Sequence, residues 1–172
     1  MSAPQTTRPL QVRGRVWKFG DSVNTDEMFP GFAMRLPITE AAQYMFNATR
    51  PGWPALVRSG DVIVGGRRFG LGSSRPVALL MLELGISCVL AEEFSSLFMR
   101  NSINLGLAAL TVPGVTSAVD EGDDLEVDLE SARVRNVRTG TALTGAPLPA
   151  LALDIVRHGG VEERLHSQGY LD

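Results

Sequence analysis

The alternation of apolar and polar positions gives the chain its first outline. Residues 1–9 carry almost no apolar side chains and include Pro4 and Pro9, so they are expected to form a loose, flexible arm, with ordered structure starting near Leu10. Val12 to Phe19 mixes β-branched, aromatic and basic side chains and ends at Gly20-Asp21, the mark of a strand entering a turn. Between Thr39 and Ala48, the residues Ala41, Ala42, Met45 and Phe46 recur at helical spacing behind a capping threonine, which predicts a short amphipathic helix. Asp61 to Val64 is a short buried strand that runs into the glycine-rich stretch Gly65–Gly72. Pro76 opens the almost wholly apolar run Val77–Leu82, read as a helix with proline in its first position and Gly85 as its stop. Ile86–Ala91 is another buried strand, and Phe94, Leu97, Phe98 and Asn101 share one face of a helix reaching about Leu105.

After the turn at Pro113-Gly114, Asp124–Leu129 and Ala132–Val137 alternate as the two arms of a hairpin, with a further turn at Thr139-Gly140. Pro147–His158 and Val161–His166 read as closing helices separated by Gly159-Gly160. Strand, loop, helix, strand and helix in succession predict an α/β layer. With 172 residues, 44% of them hydrophobic, residues 10–172 suit one compact domain with a substantial core.

Composition then narrows the chemistry. A net charge of −3 gives no reason to expect nucleic acid as a partner. Lys18 is the single lysine, so Arg carries almost all the positive charge; nucleotide composition explains that bias as readily as carboxylate recognition does. Cys88 is the single cysteine, so no intramolecular disulfide can form, and thiolates of this chain alone cannot hold an iron-sulfur cluster. A reducing, cytoplasmic setting is expected, since no secretory core precedes Pro9 and no apolar run is long enough to span a bilayer.

The densest candidate chemistry is Gly70-Leu71-Gly72-Ser73-Ser74-Arg75, between a predicted strand and a predicted helix. Glycines permit unusual dihedrals and close approach, and the turn gathers two hydroxyls, a fixed cation and free N–H donors, so a carboxylate or developing oxyanion would be stabilised there. A tight connection with Arg75 in a structural salt bridge explains the same pattern equally well. The Lys-Ser/Thr ending of a phosphate loop is absent. Asp21 and Asp26 flank Ser22-Val23-Asn24-Thr25, where Asx turns account for much of the composition. Arg35 stands among apolar residues between Pro30 and Pro37, where a guanidinium could grip a carboxylate or simply face solvent. His158 and His166 have no acid or nucleophile motif around them.

Taken in order, Gly20-Asp21 with Thr25-Asp26, Phe69-Gly70-Leu71-Gly72-Ser73-Ser74-Arg75, and Arg100-Asn101-Ser102-Ile103-Asn104-Leu105-Gly106-Leu107 resemble the motifs of the isopropylmalate dehydratase small-subunit family. The resemblance continues through Gly122–Leu129 and Pro147-Leu148-Pro149, and so covers roughly residues 10–165. It implies the aconitase-type swivelling domain, a β/β/α arrangement with the Gly-Ser-Ser-Arg loop at one edge of the sheet. It also implies a hydro-lyase subunit acting on a hydroxy di- or tricarboxylic acid in leucine biosynthesis. The 4Fe-4S cluster would then belong to a separate large subunit, and this chain would be active only with that partner. By motif, Ser73 would be the base, with Asp26 in the proton network. Arg75 would bind a substrate carboxylate, Ser74 and Thr25 would assist, and Gly70 and Gly72 would form the anion loop. A serine is a poor base in water, so its alkoxide must be stabilised by the turn N–H groups, the helix end and Arg75.

Two departures bear on the substrate. Pro76-Val77 stands where the family has Glu-His, which removes two polar groups beside the proposed base. The stretch Pro30–Arg35 aligns with the family's substrate-discriminating segment but lacks its common tyrosine. Arg35 falls where homoaconitase-like members place an arginine for an extra carboxylate, whereas Phe32 and Met34 would favour methyl or isopropyl groups. Isopropylmalate, a methyl-substituted malate or citrate, and homoaconitate therefore all stay open. The alternative of another class is a non-catalytic anion-binding or regulatory module that keeps the swivel fold.

Overall fold

The structure, a computed structural model, describes residues 7–72 and 75–172. One seven-stranded sheet runs through them in the order β4-β3-β2-β1-β5-β6-β7. Strands β1 (Gln11–Lys18), β2 (Val62–Gly65), β3 (Cys88–Ala91) and β4 (Ala108–Thr111) are parallel. Strands β5 (Asp124–Asp128), β6 (Arg133–Asn136) and β7 (Ala142–Thr144) extend the sheet antiparallel from β1. The register pairs Val62 with Cys88 and Cys88 with Ala108, so the C-terminal ends of β2, β3 and β4 lie level.

Between these strands run α1 (Thr25–Met28), α2 (Ile38–Ala41), α3 (Val77–Glu83), α4 (Ser96–Asn104) and α5 (Val115–Ala118), and after β7 come α6 (Ala150–His158) and α7 (Val161–Ser167). Every residue of β2 and β3 is buried, as parallel strands covered on both faces must be. Ile63, Val89 and Ala91 point into one core with Phe19, Met28, Met45, Phe46, Trp53, Phe69, Leu80 and Met81. Val62, Val64, Cys88, Leu90 and Leu110 point into the other, which they share with Leu125, Val127 and Val134 from the antiparallel half. The sheet therefore curls until the inner faces of its two halves meet. A hydrogen bond from Ala146 N–H to Thr111 O, 2.9 Å, ties the chain beyond β7 to the end of β4. A fully buried Leu90 or Leu110 contributes about 2 kcal/mol to this packing.

The mixed α/β architecture agrees with the sequence reading, and four elements differ from it. The helix expected over Thr39–Ala48 is only α2, followed by a 3-10 turn at Ala42–Tyr44. Met45 is extended and Phe46 left-handed, φ 56°, because both side chains must turn down into the core, where Phe46 stacks on Phe19 at 4.4 Å and meets the edge of Trp53 at 5.2 Å. Burial outweighs helix continuation here, each aromatic pair adding about 1 kcal/mol. The short strands β4 and β7 carry too little β-branched or aromatic character to be read from sequence; each exists because a neighbouring strand offers it a ladder. Phe94 stands outside α4, in an isolated bridge to Phe69, and Ser95 takes the N-cap position without a side-chain capping hydrogen bond. At the other end of the polar start, Arg8 donates from its backbone to Arg157 O and from Nη1 to Gly106 O.

Candidate active site

The site forms where the exits of β1 and β2 zip together, the C-terminal edge at which open parallel sheets place ligands. Arg50 fixes the exit of β1: its guanidinium lies 4.2 Å over the Phe19 ring and donates to Lys18 O and to Glu121. Beyond the strands, Phe19 N–H donates to Val64 O, Gly66 N–H to Gly20 O, Ser22 N–H to Arg67 O and Gly70 N–H to Val23 O. Thr25 N–H donates to Leu71 O at 2.7 Å beside the Asn24–Leu71 bridge. Asp21 turns out to serve this zipper, its Oδ1 accepting from Arg67 N–H at 2.7 Å.

The glycine-rich loop is shaped by two positions. Gly70 has φ +85°, and any Cβ there would run into the Phe98 ring. Gly72 has φ +111°, and a Cβ would approach the hydroxyl of buried Thr25 to 2.9 Å. Only glycine suits both demands, so the loop is pressed flat onto α4 on one side and α1 on the other. Ser73 and Ser74, the expected base and its helper, lie outside the described residues.

Facing this loop, Asn24 caps α1: its Oδ1 accepts from Glu27 N–H at 2.9 Å while its Nδ2 donates to Glu27 Oε1 at 3.0 Å. The cap sets Asp26 on the first turn. Arg75, 21% exposed, reaches back across the gap, with Nη1 3.1 Å from Asp26 Oδ1 and donating to Phe29 O at 2.6 Å. Asp26 is 67% exposed, so the ion pair itself contributes about 0–1 kcal/mol, and the buried Phe29 carbonyl does more to hold the guanidinium. The structure thus brings together Asp26, Thr25, Gly70, Gly72 and Arg75. Arg35 closes the 3-10 turn Gly31–Arg35, exposed and without an ion pair among the described residues. It shares this surface with Phe32, 61% exposed, and Met34, 49% exposed. Phe32 meets the ring of Tyr44, from the next segment, edge-on at 5.1 Å.

Sequence reasoning had no access to Phe29, whose contribution is a backbone carbonyl. The Asn24 cap could have been found from Asn-Thr-Asp-Glu, in which the Asn precedes the glutamate by three residues. Behind Arg75, Val77 is buried in the core and Pro76 lines a cleft of about 270 Å³ with Asn101, Asn104 and Leu105. A larger groove, about 490 Å³, runs over β1, β5 and β6 and includes none of the site residues.

The donor set does not fit a metal cluster. No group of three or more His, Cys, Asp or Glu side chains could hold a metal ion among the described residues. The Cys88 thiol, inside β3, is pushed up to about 12 by burial and stays protonated. No helix among the described residues is long and apolar enough to cross a membrane.

The comparisons with known proteins bear on the fold and the family. Residues 58–114, which span β2, the glycine loop, α3, β3, α4 and β4, match the aconitase C-terminal domain family. The chain is 44% identical over 152 residues to the isopropylmalate/citramalate isomerase small subunit of Methanocaldococcus jannaschii, covering 87% of this chain and 90% of that one. It is 41% identical over 160 residues to 3-isopropylmalate dehydratase small subunit 1 of Methanopyrus kandleri, covering 92% and 94%. The crystal structure of 3-isopropylmalate dehydratase from Methanocaldococcus jannaschii superposes with a TM-score of 0.87 at 31% identity, covering 92% of this chain and 95% of that one. On this full-length likeness, the chain belongs to the 3-isopropylmalate dehydratase small-subunit family of the aconitase superfamily.

Proposed function

We propose that this chain is the small subunit of a cytoplasmic hydro-lyase that dehydrates and rehydrates a hydroxy di- or tricarboxylic acid, with 3-isopropylmalate the leading substrate. The observation that carries the reading is Arg75, held over the glycine loop by Phe29 O and Asp26 at the junction of the two strand exits. A fixed guanidinium there suits a carboxylate next to the reacting carbons. In this reading Ser73 removes the proton, Asp26 takes part in the proton network, and Thr25, Ser74 and the loop at Gly70 and Gly72 support the anion. A 4Fe-4S cluster carried by a large subunit would supply the Lewis acid for the departing hydroxyl. Phe32 and Met34 favour an alkyl substituent at the distal end of the substrate, while Arg35 on the same turn favours a third carboxylate.

The test is co-purification with a candidate large subunit under anaerobic conditions, followed by a screen for hydration of unsaturated di- and tricarboxylates. The chain alone should be colourless and inactive, and the pair active. Ser73→Ala should lower turnover of the pair by about 10²- to 10⁴-fold, the range for losing a general base. Turnover by the isolated chain would refute the two-subunit reading. A pair that assembles and hydrates nothing would favour a non-catalytic, anion-binding module.

A further inference from the structure

Consecutive residues at the exit of β1 are tied to consecutive residues at the exit of β2. Gly66 N–H donates to Gly20 O at 3.0 Å, Arg67 N–H to Asp21 Oδ1 at 2.7 Å, and Ser22 N–H to Arg67 O at 2.8 Å. The middle bond differs from its neighbours, because a carboxylate stands there in place of a backbone carbonyl. It is not the local Asx turn that the composition around Asp21 suggested, since the donor lies 46 residues further along the chain. On either side of it the backbone is left-handed, at Ser22 with φ 55° and at Arg68 with φ 53°. Residues with a Cβ hold that conformation only where their surroundings enforce it.

Gly66 is fitted to that carboxylate. It is absent from the positive-φ positions, so its own dihedrals do not call for glycine. A Cβ there would run into the Asp21 carboxylate and crowd the Asp21 backbone nitrogen at 3.0 Å. Gly66 is buried, and its carbonyl accepts from Glu93 N–H at 3.4 Å, so it is held from the end of β3 as well. The glycine is explained by the aspartate, and the aspartate by the N–H of the next residue.

We propose that Asp21 is a positioning residue of the active site, a clamp that pins the start of the glycine loop to the exit of β1, with Gly66 as the gap that admits it. Beyond the clamp both chains bend, one at Ser22 on its way to Asp26 and the other at Arg68 on its way to Arg75. The clamp therefore sets the alignment in which Asp26 and Arg75 meet. Asp21 acts through the Arg67 backbone and needs only an oxygen acceptor at Oδ1, so its role is geometric and an amide can fill it. The inference rests on the reading of Asp26 and Arg75 as site residues given above.

The experiment compares Asp21→Ala, Asp21→Asn, Gly66→Ala and the double variant Asp21→Ala/Gly66→Ala in the two-subunit enzyme, with kcat expressed per assembled complex counted by sedimentation. Asp21→Ala should lower kcat by about tenfold or more, as a small misplacement of reacting groups does, and Asp21→Asn should stay within about threefold of the parent. Gly66→Ala should lower kcat to a similar extent, and should add less than about twofold in the Asp21→Ala background, where no carboxylate is left to meet the methyl. A purely structural role would reduce the amount of complex and leave kcat per complex unchanged. An Asp21→Ala kcat within about twofold of the parent overturns the proposal, as does an Asp21→Asn no better than Asp21→Ala, or an undiminished Gly66→Ala effect in the double variant. Should Asp21→Ala fail to fold, Gly66→Ala and Asp21→Asn decide: a loss in the first with near-parent kcat in the second supports the clamp, and any other result overturns it.

If the parent pair hydrates no substrate in the panel, the proposed function fails, and the clamp is judged on the chain alone. The Arg75 Nε–H resonance in ¹⁵N spectra then reports whether Asp21 places the guanidinium. A resonance that moves in Gly66→Ala and keeps the parent position in Asp21→Asn supports the clamp. A resonance unmoved in Gly66→Ala, or displaced in both variants, overturns it.

Discussion

Two arginine–aspartate pairs stand in different parts of the molecule and are built to different plans. Arg138 and Asp123 lie at the β5–β6 end of the antiparallel half. Asp123 is 5% exposed and accepts from Arg138 Nε at 2.5 Å, Arg138 Nη2 at 3.0 Å, Asn136 Nδ2 at 2.7 Å and Asp120 N–H at 2.9 Å. Asn136 completes the network by donating to Ala118 O and accepting from Arg138 N–H. Arg75 and Asp26 meet once, at 3.1 Å, with Asp26 open to solvent and one side of the guanidinium unengaged by any of the described residues. The first carboxylate has its acceptor capacity filled by the fold, as a buried charge requires. The second pair keeps donors in reserve, as a binding site requires. One motif type therefore gives a lock in one region and, on the proposed reading of Arg75, a receptor in the other, and the difference lies in how many protein donors converge on each.

If that contrast is right, substitutions in the receptor should cost activity, and substitutions in the lock should cost stability. The largest effect is expected from Arg75→Lys, which should lower kcat/KM by about 2–3 kcal/mol on every active substrate and leave the melting temperature close to the parent's, because an ammonium cannot reproduce the fork. A loss confined to one substrate would break the assignment. Asp123→Asn should do the reverse, costing about 2 kcal/mol of unfolding free energy in a denaturant titration while activity per folded complex is kept. Unchanged stability would show that the network is idle.

The same lock has a pH signature. Hydrogen bonding from Arg138, with help from Asp120 N–H and Asn136, outweighs burial and holds the Asp123 carboxyl well below the usual carboxylate range. The unfolded chain therefore binds the proton more readily, so this contribution is complete above the unfolded value near pH 4 and is lost as pH falls from there toward the folded one. Acid denaturation of the parent and of Asp123→Asn should converge at low pH. Parallel curves would mean that the linkage lies elsewhere.

Smaller and selective effects are expected around the exposed turn. Arg35→Ala should penalise a tricarboxylate by about 1.5–3 kcal/mol and spare an alkyl-substituted dicarboxylate, if Arg35 reads a third carboxylate. Equal, slight losses on a matched pair of substrates would remove it from the specificity surface. The smallest effect is that of Asn24→Ala, about 1 kcal/mol in stability from the lost cap of α1. It should raise KM modestly, since α1 carries Asp26, and an unchanged KM would mean that Asp26 is placed by Arg75 rather than by the helix.

Much of the scaffold was legible because apolar runs and punctuation encode it directly. Val62–Val64 and Cys88–Ala91 are continuous apolar runs bounded by glycine or polar residues, and such runs have few ways to be buried other than as inner parallel strands. The glycine loop was visible because Gly70 and Gly72 occupy dihedrals that other residues avoid, and its place between strand and helix follows from the hydrophobic pattern on either side. Cys88 is the single cysteine in the sequence, so thiolates of this chain alone cannot hold a cluster.

Tertiary structure decided the rest, for reasons that no local pattern carries. β4 and β7 are strands only because β3 and β6 supply ladders for weak formers. The curl that lets Leu125 and Val127 share a core with Leu90 and Leu110 depends on side chains far apart in the chain. Asp21 and Asp26 look alike in sequence, five residues apart, yet one accepts from the backbone of Arg67 and the other meets Arg75. Which aspartate faces the site is set by how the exits of β1 and β2 align, a long-range register that short-range composition does not contain. The Phe29 carbonyl belongs to the same class: it is a feature of where the backbone passes, and it gains meaning only once Arg75 has been brought alongside.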